Sequence, residues 1–240
     1  MINGAVGFKS GSSRVVESHV RKILQYVVSC YQLMLKDGKK YNYSTRGKIK
    51  QENFLRNGLV DDYLRKNINL LNSEGINQYT IINRESTETY HSQTDRLLHD
   101  DPIDIKIEYS PLKNDLQDDS VYFAIECKRI TIDSDSKDYV LDTEKFSDRI
   151  YTSKRLPFEG QIGFIENSKI THSSICIKVN ECLQSLQSCE KLITTQELKL
   201  IKISSDFEGS YKSTHKKLNE NKDNFSVFHL FFDYSNVVIN

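Results

Sequence analysis

A carboxylate and an ammonium group interrupt an otherwise apolar segment near the middle of the chain. Residues 121–130, VYFAIECKRI, predict a strand, and alternation places Glu126 and Lys128 on the same face of it. A second alternating segment, residues 103–109 (IDIKIEY), carries Asp104 on the face opposite its isoleucines. If the two strands pair with their apolar sides in a shared core, Asp104 approaches Glu126. We therefore expect two carboxylates and a lysine to meet.

The charges of these three residues indicate a particular chemistry. Two carboxylates held together repel, so a cation stabilises the pair. Mg²⁺ takes a few hard oxygen ligands and completes its shell with waters and phosphate oxygens, which suits Asp104 and Glu126 as direct ligands. The backbone carbonyl of Cys127 could add a third oxygen. Lys128 could orient an attacking water or offset the charge that develops on phosphorus. The pattern predicts phosphodiester hydrolysis.

Two helical regions are predicted ahead of these strands. Apolar residues at positions 16, 20, 23, 24, 27, 28, 31 and 34 predict an amphipathic helix, capped by Ser12 or Ser13 and ending near Gly38. A second helix, or a pair broken near Gly58, is expected between residues 44 and 71. Glu52 lies near the edge of the apolar stripe of this second region, from where it could reach the sheet.

The rest of the chain alternates between predicted strands and helices. A helix is expected in residues 141–154 after a cap-competent Asp142, and another in residues 171–188. Residues 110–120 and 215–224 are expected to be polar loops. Because helices separate the strands, the pattern indicates an α/β fold. The predicted strands are residues 78–85, 102–109, 121–130, 160–166, 197–205 and 225–235.

The spacing of the charged residues resembles the PD-(D/E)xK nuclease superfamily, which has the restriction-endonuclease-like fold. Asp104 in "PID" is followed 22 residues later by Glu126 and Lys128 in "ECK". The motif departs from its name because Ile103 separates the proline from Asp104, while Asp101 directly precedes the proline. We assign Asp104, which lies inside the alternating strand, and predict that Asp100 and Asp101 form a solvated turn.

Two further residues match positions that this superfamily often uses, over a resemblance that spans residues 44–166. Glu52 in "KQENFL" matches an acidic residue on the helix before the sheet, and Gln161 in "EGQIGFIE" matches a glutamine on a later strand. The resemblance implies Mg²⁺-dependent hydrolysis of nucleic acid, usually DNA, with Mn²⁺ as a substitute. It also suggests a role in prokaryotic restriction or anti-phage defence. The residues implied in catalysis are Asp104, Glu126, Lys128, Glu52 and Gln161, and the implied metal ligands are Asp104, Glu126, the Cys127 carbonyl and Glu52.

Composition limits the protein class more than the partner. The 240 residues include 33 Lys and Arg against 33 Asp and Glu, so net charge does not indicate a partner. Five cysteines without a CxxC pair favour reduced thiols over a disulfide framework or a zinc site. The chain begins without an apolar signal region and contains no stretch of about 20 apolar residues. We expect a cytoplasmic protein with no membrane partner.

A basic run and a group of histidines are weaker candidates for function. The run precedes Glu52 and is either a solvated loop or a contact for the nucleic-acid backbone. Ser213 and His215 lack an orienting acid at a recognisable spacing, and His229 lies in an apolar strand where a hydrogen-bonded core role is commoner. The candidate nucleic-acid contacts are Lys39, Lys40, Arg46 and Lys48.

The sequence thus predicts one restriction-endonuclease-like α/β domain over residues 1–240, with a central mixed sheet flanked by helices. Residues 1–43 would form an N-terminal helix and basic loop, residues 44–170 the nuclease core, and residues 171–240 an α/β C-terminal extension. The alternative function is a catalytically inactive interaction subunit of a larger defence complex. A homodimer is the expected assembly if both strands of a duplex are cut, because that requires two sites.

Overall fold

The computed structural model describes residues 10–68, 79–152, 155–219 and 221–239. These ranges contain five α-helices and ten strands. The helices are α1 (Ser10–Lys36), α2 (Gln51–Gly58), α3 (Ser110–Leu116), α4 (Ser136–Asp148) and α5 (His172–Ser188). The strands are β1 (Tyr41–Asn42), β2 (Ile81–Ser92), β3 (Leu98–Glu108), β4 (Phe123–Ile130), β5 (Arg149–Tyr151), β6 (Phe158–Ile165), β7 (Ile193–Leu200), β8 (Ser210–Lys216), β9 (Asn224–Asp233) and β10 (Val238–Ile239).

Within the described ranges, eight strands form one mixed sheet in the order β5–β2–β3–β4–β6–β9–β8–β7. Strands β4, β6 and β9 are parallel to one another, and the remaining neighbours are antiparallel. Strands β7, β8 and β9 of the predicted C-terminal extension therefore belong to the main sheet, since β9 lies directly beside β6. The α/β class predicted from the sequence is confirmed.

Helices cover both faces of this sheet. Helices α1 and α2 pack on one face, where Phe123, Ile125 and Cys127 point into the larger apolar core. Helices α4 and α5 pack on the other face around a second apolar core that includes Ile130 and Phe231. Because alternate residues of β4 face opposite ways, Glu126 and Lys128 lie on the α4 side. No helix in the described part of the chain is both long and apolar enough to cross a membrane.

The predicted N-terminal helix is confirmed, with a small difference at its start. Helix α1 begins at Ser10, ahead of the predicted caps Ser12 and Ser13. Its apolar stripe is buried, and it ends before Gly38, which has a φ of 63°. This left-handed conformation is cheap only for glycine and closes many helices.

The second helical region follows the first of its two predicted alternatives, an unbroken helical run, but starts later than residue 44. Helix α2 begins at Gln51, and the chain continues past Gly58 without a break, as a π-helical segment over Leu59–Leu64. A Cβ at Gly58 would lie 2.4 Å from ring atoms of Tyr41. Gly58 is therefore required for close packing rather than for a helix break. Residues 69–71 of the predicted region lie outside the described ranges.

Several local predictions are wrong, among them the following three. Residues 110–116 form α3 instead of a loop, with Pro111 in its first turn and Leu112 anchored in the core. Helix α4 starts six residues before Asp142, so this residue lies inside the helix and does not cap it. Asp100 and Asp101 belong to β3 and pair with β2, so they do not form a solvated turn.

Candidate active site

The pairing of β3 with β4 brings the first two predicted site residues together. Ile105 lies opposite Ile125 in an antiparallel ladder, so one step further along each strand places Asp104 beside Glu126. The backbone N–H of Cys127 donates a hydrogen bond of 2.8 Å to Oδ2 of Asp104. The register that the sequence argument assumed is the register that the structure has.

Glu126 is half-buried in this position. Burial raises the pKa of its carboxyl well above the ordinary value, and the charges of Asp104 and Asp142 raise it further. Negative charge is therefore crowded around this carboxyl. The crowding would be relieved by a cation bound between Glu126 and Asp104.

Lys128 lies one step along the same face of β4. Its Nζ is 3.5 Å from Oε1 of Glu52 and 3.3 Å from Oδ2 of Asp142. Burial by itself would lower the pKa of Lys128, but the charges of Asp142, Glu52, Asp104 and Glu126 together outweigh burial, and the pKa is raised above its ordinary value. Lys128 is therefore held as an ammonium ion that points into the site.

Glu52 reaches the same place from α2. It lies in the first turn of the helix, and its Oε2 accepts a hydrogen bond of 3.1 Å from the backbone N–H of Arg129. Burial raises the pKa of Glu52, while Lys128 and the Arg129 N–H act in the opposite direction. The structure thus places four of the predicted residues, Asp104, Glu126, Lys128 and Glu52, around one cleft.

Gln161 lies away from this cleft, although it is the β6 neighbour of Glu126. Its Oε1 accepts a hydrogen bond from Thr143, and its Nε2 donates one of 2.5 Å to the carbonyl of Tyr139. Both partners belong to α4. The buried Gln161 amide therefore fastens α4 to the sheet and does not point into the cleft.

The predicted contribution of Cys127 involves its backbone. Its N–H already points towards Asp104, and because the N–H and C=O of one strand residue face the same side, we expect its carbonyl to face the same gap. The thiol lies on the opposite face of the strand, in the apolar core. The thiol therefore does not face the cleft, and burial and the charge of Asp104 raise its pKa well above the ordinary value.

Sequence reasoning missed two charged residues of the site. Asp142, with only 3% of its side chain exposed, binds Lys128 and Lys145 from the inner side of α4. Arg56, 2% exposed, binds Asp104 from α2 through its NH1, at 2.5 Å from Oδ1. Each lies within the apolar stripe of its helix. A charged residue at such a position indicates a buried polar partner, and this signal could have identified both residues from the sequence.

The predicted nucleic-acid contacts lie on the segment before α2. Lys39 binds Asp62 at 2.8 Å, and Lys40 donates to the carbonyl of Asn236. Arg46 donates to the carbonyl of Ile49 and helps to close its own loop. Lys48 is exposed. Lys40 is exposed as well, and Lys39 is already neutralised by an acid.

The cleft, with a volume of about 250 Å³, has a surplus of negative charge. Among the described residues that line it, five carboxylates face three cations. The carboxylates are Glu52, Asp101, Asp104, Glu126 and Asp142, and the cations are Lys128, Lys145 and Arg149. A phosphate group would be repelled by this lining until a cation offset the surplus.

The donors fit Mg²⁺ better than a metal held by protein alone. Within the described ranges, no three His, Cys, Asp or Glu side chains are close enough together to surround a metal ion. Asp104 and Glu126 supply two carboxylates on one side of an open cleft. Mg²⁺ is commonly bound by one or two carboxylates, with waters and substrate phosphates as its other ligands. The pair therefore fits that ion chemically.

Comparison with known proteins gives no match: no protein-family model fits the sequence, and no curated protein or solved structure is significantly similar to it.

Proposed function

We propose that the protein is a Mg²⁺-dependent nuclease that hydrolyses phosphodiester bonds. The observation that carries the proposal is the convergence of Asp104, Glu126 and Lys128 in one negatively charged cleft. These residues were selected from the sequence by motif, and strand pairing and helix docking bring them together independently of that motif. A chance ExK on a sheet face does not require an aspartate beside it in register, whereas a metal site does.

In this mechanism Asp104 and Glu126 would hold the cation, with Glu52 nearby. The bound ion would lower the pKa of a water molecule and offset charge on the phosphate. Lys128, kept charged by Glu52 and Asp142, would hold the attacking water or stabilise the negative charge that develops on phosphorus. Hydrolysis then adds water across the P–O bond and leaves two shorter chains.

We propose that β3, β4, α4 and β6 form a restriction-endonuclease-like core. In support, β3 and β4 are antiparallel, α4 connects β4 to β6, and β6 is parallel to β4. DNA is the proposed substrate, and defence against phage the proposed context, because the motif resembles a superfamily in which these are common. Two-strand cleavage would require two such sites, and a homodimer supplies them.

The first test is a cleavage assay on linear, circular and single-stranded DNA and on RNA, with Mg²⁺, Mn²⁺ or EDTA. We expect cleavage with either ion, none with EDTA, and a loss of about 10²–10³-fold in Lys128→Ala, because one charge-stabilising donor is removed. Lys212→Ala is the matched control. Lys212 is 18% exposed against 24% for Lys128 and also binds a carboxylate, Glu17, but it lies outside the cleft.

Cleavage that persists in EDTA and in the Lys128→Ala variant would contradict the mechanism. An absence of cleavage on every substrate would favour the second candidate, an inactive nuclease-fold subunit that binds a partner protein. One observation favours that candidate: both oxygens of Asp104 already accept hydrogen bonds, from Arg56 and from the Cys127 N–H.

A further inference from the structure

Three carboxylates lie in a row across neighbouring strands of the sheet. Extending the β3–β4 register by one residue places Asp104 beside Glu126, and the β2–β3 register places Glu85 between the partners of residues 103 and 105, beside Asp104. Like charges on directly opposed strand residues destabilise a sheet. The row therefore needs a positive partner in the folded protein.

Arg56 is the cation that meets this row from α2. Its NH1 is 2.5 Å from Oδ1 of Asp104, and its NH2 is 2.6 Å from Oε1 of Glu85. The guanidinium thus spans two of the three acids with separate nitrogens, a geometry that a lysine could not reproduce. Asn57 accepts further hydrogen bonds from the same guanidinium at 3.0 and 3.2 Å.

The backbone at Glu85 is strained in a way that suits this contact. Glu85 has a φ of 56°, a left-handed conformation that is unfavourable for a residue other than glycine. Its Oε1 also accepts a hydrogen bond of 3.2 Å from Asn53 of α2. Such strain persists where the surroundings compensate for it, and it is common at functional sites.

We propose that Arg56 is a positioning residue that occupies Asp104 in place of the divalent cation and thereby sets the affinity of the site for that cation. The proposal rests on the metal-binding part of the proposed function. Arg56 uses one oxygen of Asp104, and its positive charge opposes a second cation at the same carboxylate. Glu85 shares the guanidinium with Asp104 and so offsets part of its positive charge.

The test measures metal binding rather than cleavage. Mg²⁺ and Mn²⁺ are titrated separately into the full chain by calorimetry, for the wild type, Arg56→Gln and Glu85→Gln. We expect Arg56→Gln to bind either ion at least about tenfold more tightly, because a unit charge within a few ångströms shifts such equilibria by one or more powers of ten. We expect Glu85→Gln to bind more weakly, because Arg56 is then left to Asp104 alone.

Arg155→Gln is the matched control. Arg155 is also largely buried and also bridges two acids, but these acids, Glu88 and Glu159, do not line the cleft, whereas Asp104 does. We expect its metal affinity to stay within about threefold of the wild type. In thermal unfolding, Mg²⁺ should restore the melting temperature lost in Arg56→Gln and should not restore that lost in Arg155→Gln. If Arg56→Gln does not fold, Glu85→Gln still tests the opposite sign.

Unchanged or weaker metal affinity in a folded Arg56→Gln, or tighter affinity in Glu85→Gln, would overturn the assignment of Arg56. Mg²⁺-dependent cleavage together with that result would leave the nuclease proposal intact. If the affinities change as expected but no nucleic acid is cleaved, the assignment of Arg56 stands and the nuclease proposal fails. If neither the wild type nor Arg56→Gln binds either ion, both proposals fail.

Discussion

Lys128 depends on a residue that no motif indicates. Asp142 is buried on the inner side of α4 and contributes the largest share of the electrostatic effect that keeps Lys128 charged. Strand alternation predicted the direction in which Lys128 points, but it could not predict which acid of another element would meet it. The direction of a motif side chain can therefore be predicted from its own strand, whereas its charged partner comes from another element and cannot.

We predict that Asp142→Asn lowers kcat for cleavage by about tenfold with little change in KM, because Lys128 loses part of its anchoring and of the charge that stabilises its ammonium form. Steady-state kinetics on the preferred nucleic acid measures both constants. Glu159→Gln is the control: it removes another buried carboxylate that binds an arginine outside the cleft, and it should lower stability without this loss of kcat. Equal kinetic losses in the two variants would contradict a specific role for Asp142.

At the scale of elements, the site depends on how α4 is fastened to β6. The sequence resemblance placed Gln161 among the residues that act in catalysis, whereas its amide bonds to Thr143 and Tyr139 of α4. These contacts fix the helix that carries Asp142. The resemblance predicted where Gln161 lies in the sheet. The direction of its side chain depends on α4, the helix that covers it.

We predict that Gln161→Leu lowers the free energy of unfolding by about 1–2 kcal/mol, since two buried hydrogen bonds are lost and part of that loss is offset by apolar burial. Urea unfolding measures this change. Cleavage should fall less than in Lys128→Ala. A variant with wild-type stability and no cleavage would instead support a direct role for Gln161 in the cleft, as the resemblance implies.

At the scale of the whole molecule, a buried hydrogen-bonded chain connects α4 to three strands. Tyr139 binds Nδ1 of His229 at 3.1 Å, and the Ser213 hydroxyl lies 2.8 Å from Nε2 of His229 and 2.7 Å from Nε2 of His215. Thr194 completes the chain at 3.1 Å from Nδ1 of His215. When both histidines are neutral, one hydrogen can be placed in each of these four contacts, so the hydrogen-bonded chain is satisfied without a buried charge.

This chain predicts a loss of stability in mild acid. Burial lowers the pKa of His215 to about 3, and burial and the charge of His215 lower that of His229 well below its ordinary value. In the unfolded chain both take up protons near pH 6.5. Stability is therefore complete above about pH 6.5 and declines below it, towards pH 3, by up to about 2.7 kcal/mol per pH unit for the two together.

Urea unfolding at several values between pH 7 and pH 5 measures the slope. We expect His229→Gln to reduce it by about half relative to the wild type. His91→Gln, at an exposed position of β2, should leave it unchanged. An identical slope in the wild type and in His229→Gln would show that folding does not keep His229 in its neutral form.

The sequence by itself determined the α/β class, the amphipathic helix α1, and the shared face of Glu126 and Lys128, because periodicity is a local property of the chain. Only the tertiary structure decided that Asp104 lies beside Glu126, that Arg56 and Asp142 belong to the site, and that Gln161 binds α4. Each of these contacts joins elements that are distant in sequence. Which side chains meet there depends on strand register and helix docking, which the whole core sets.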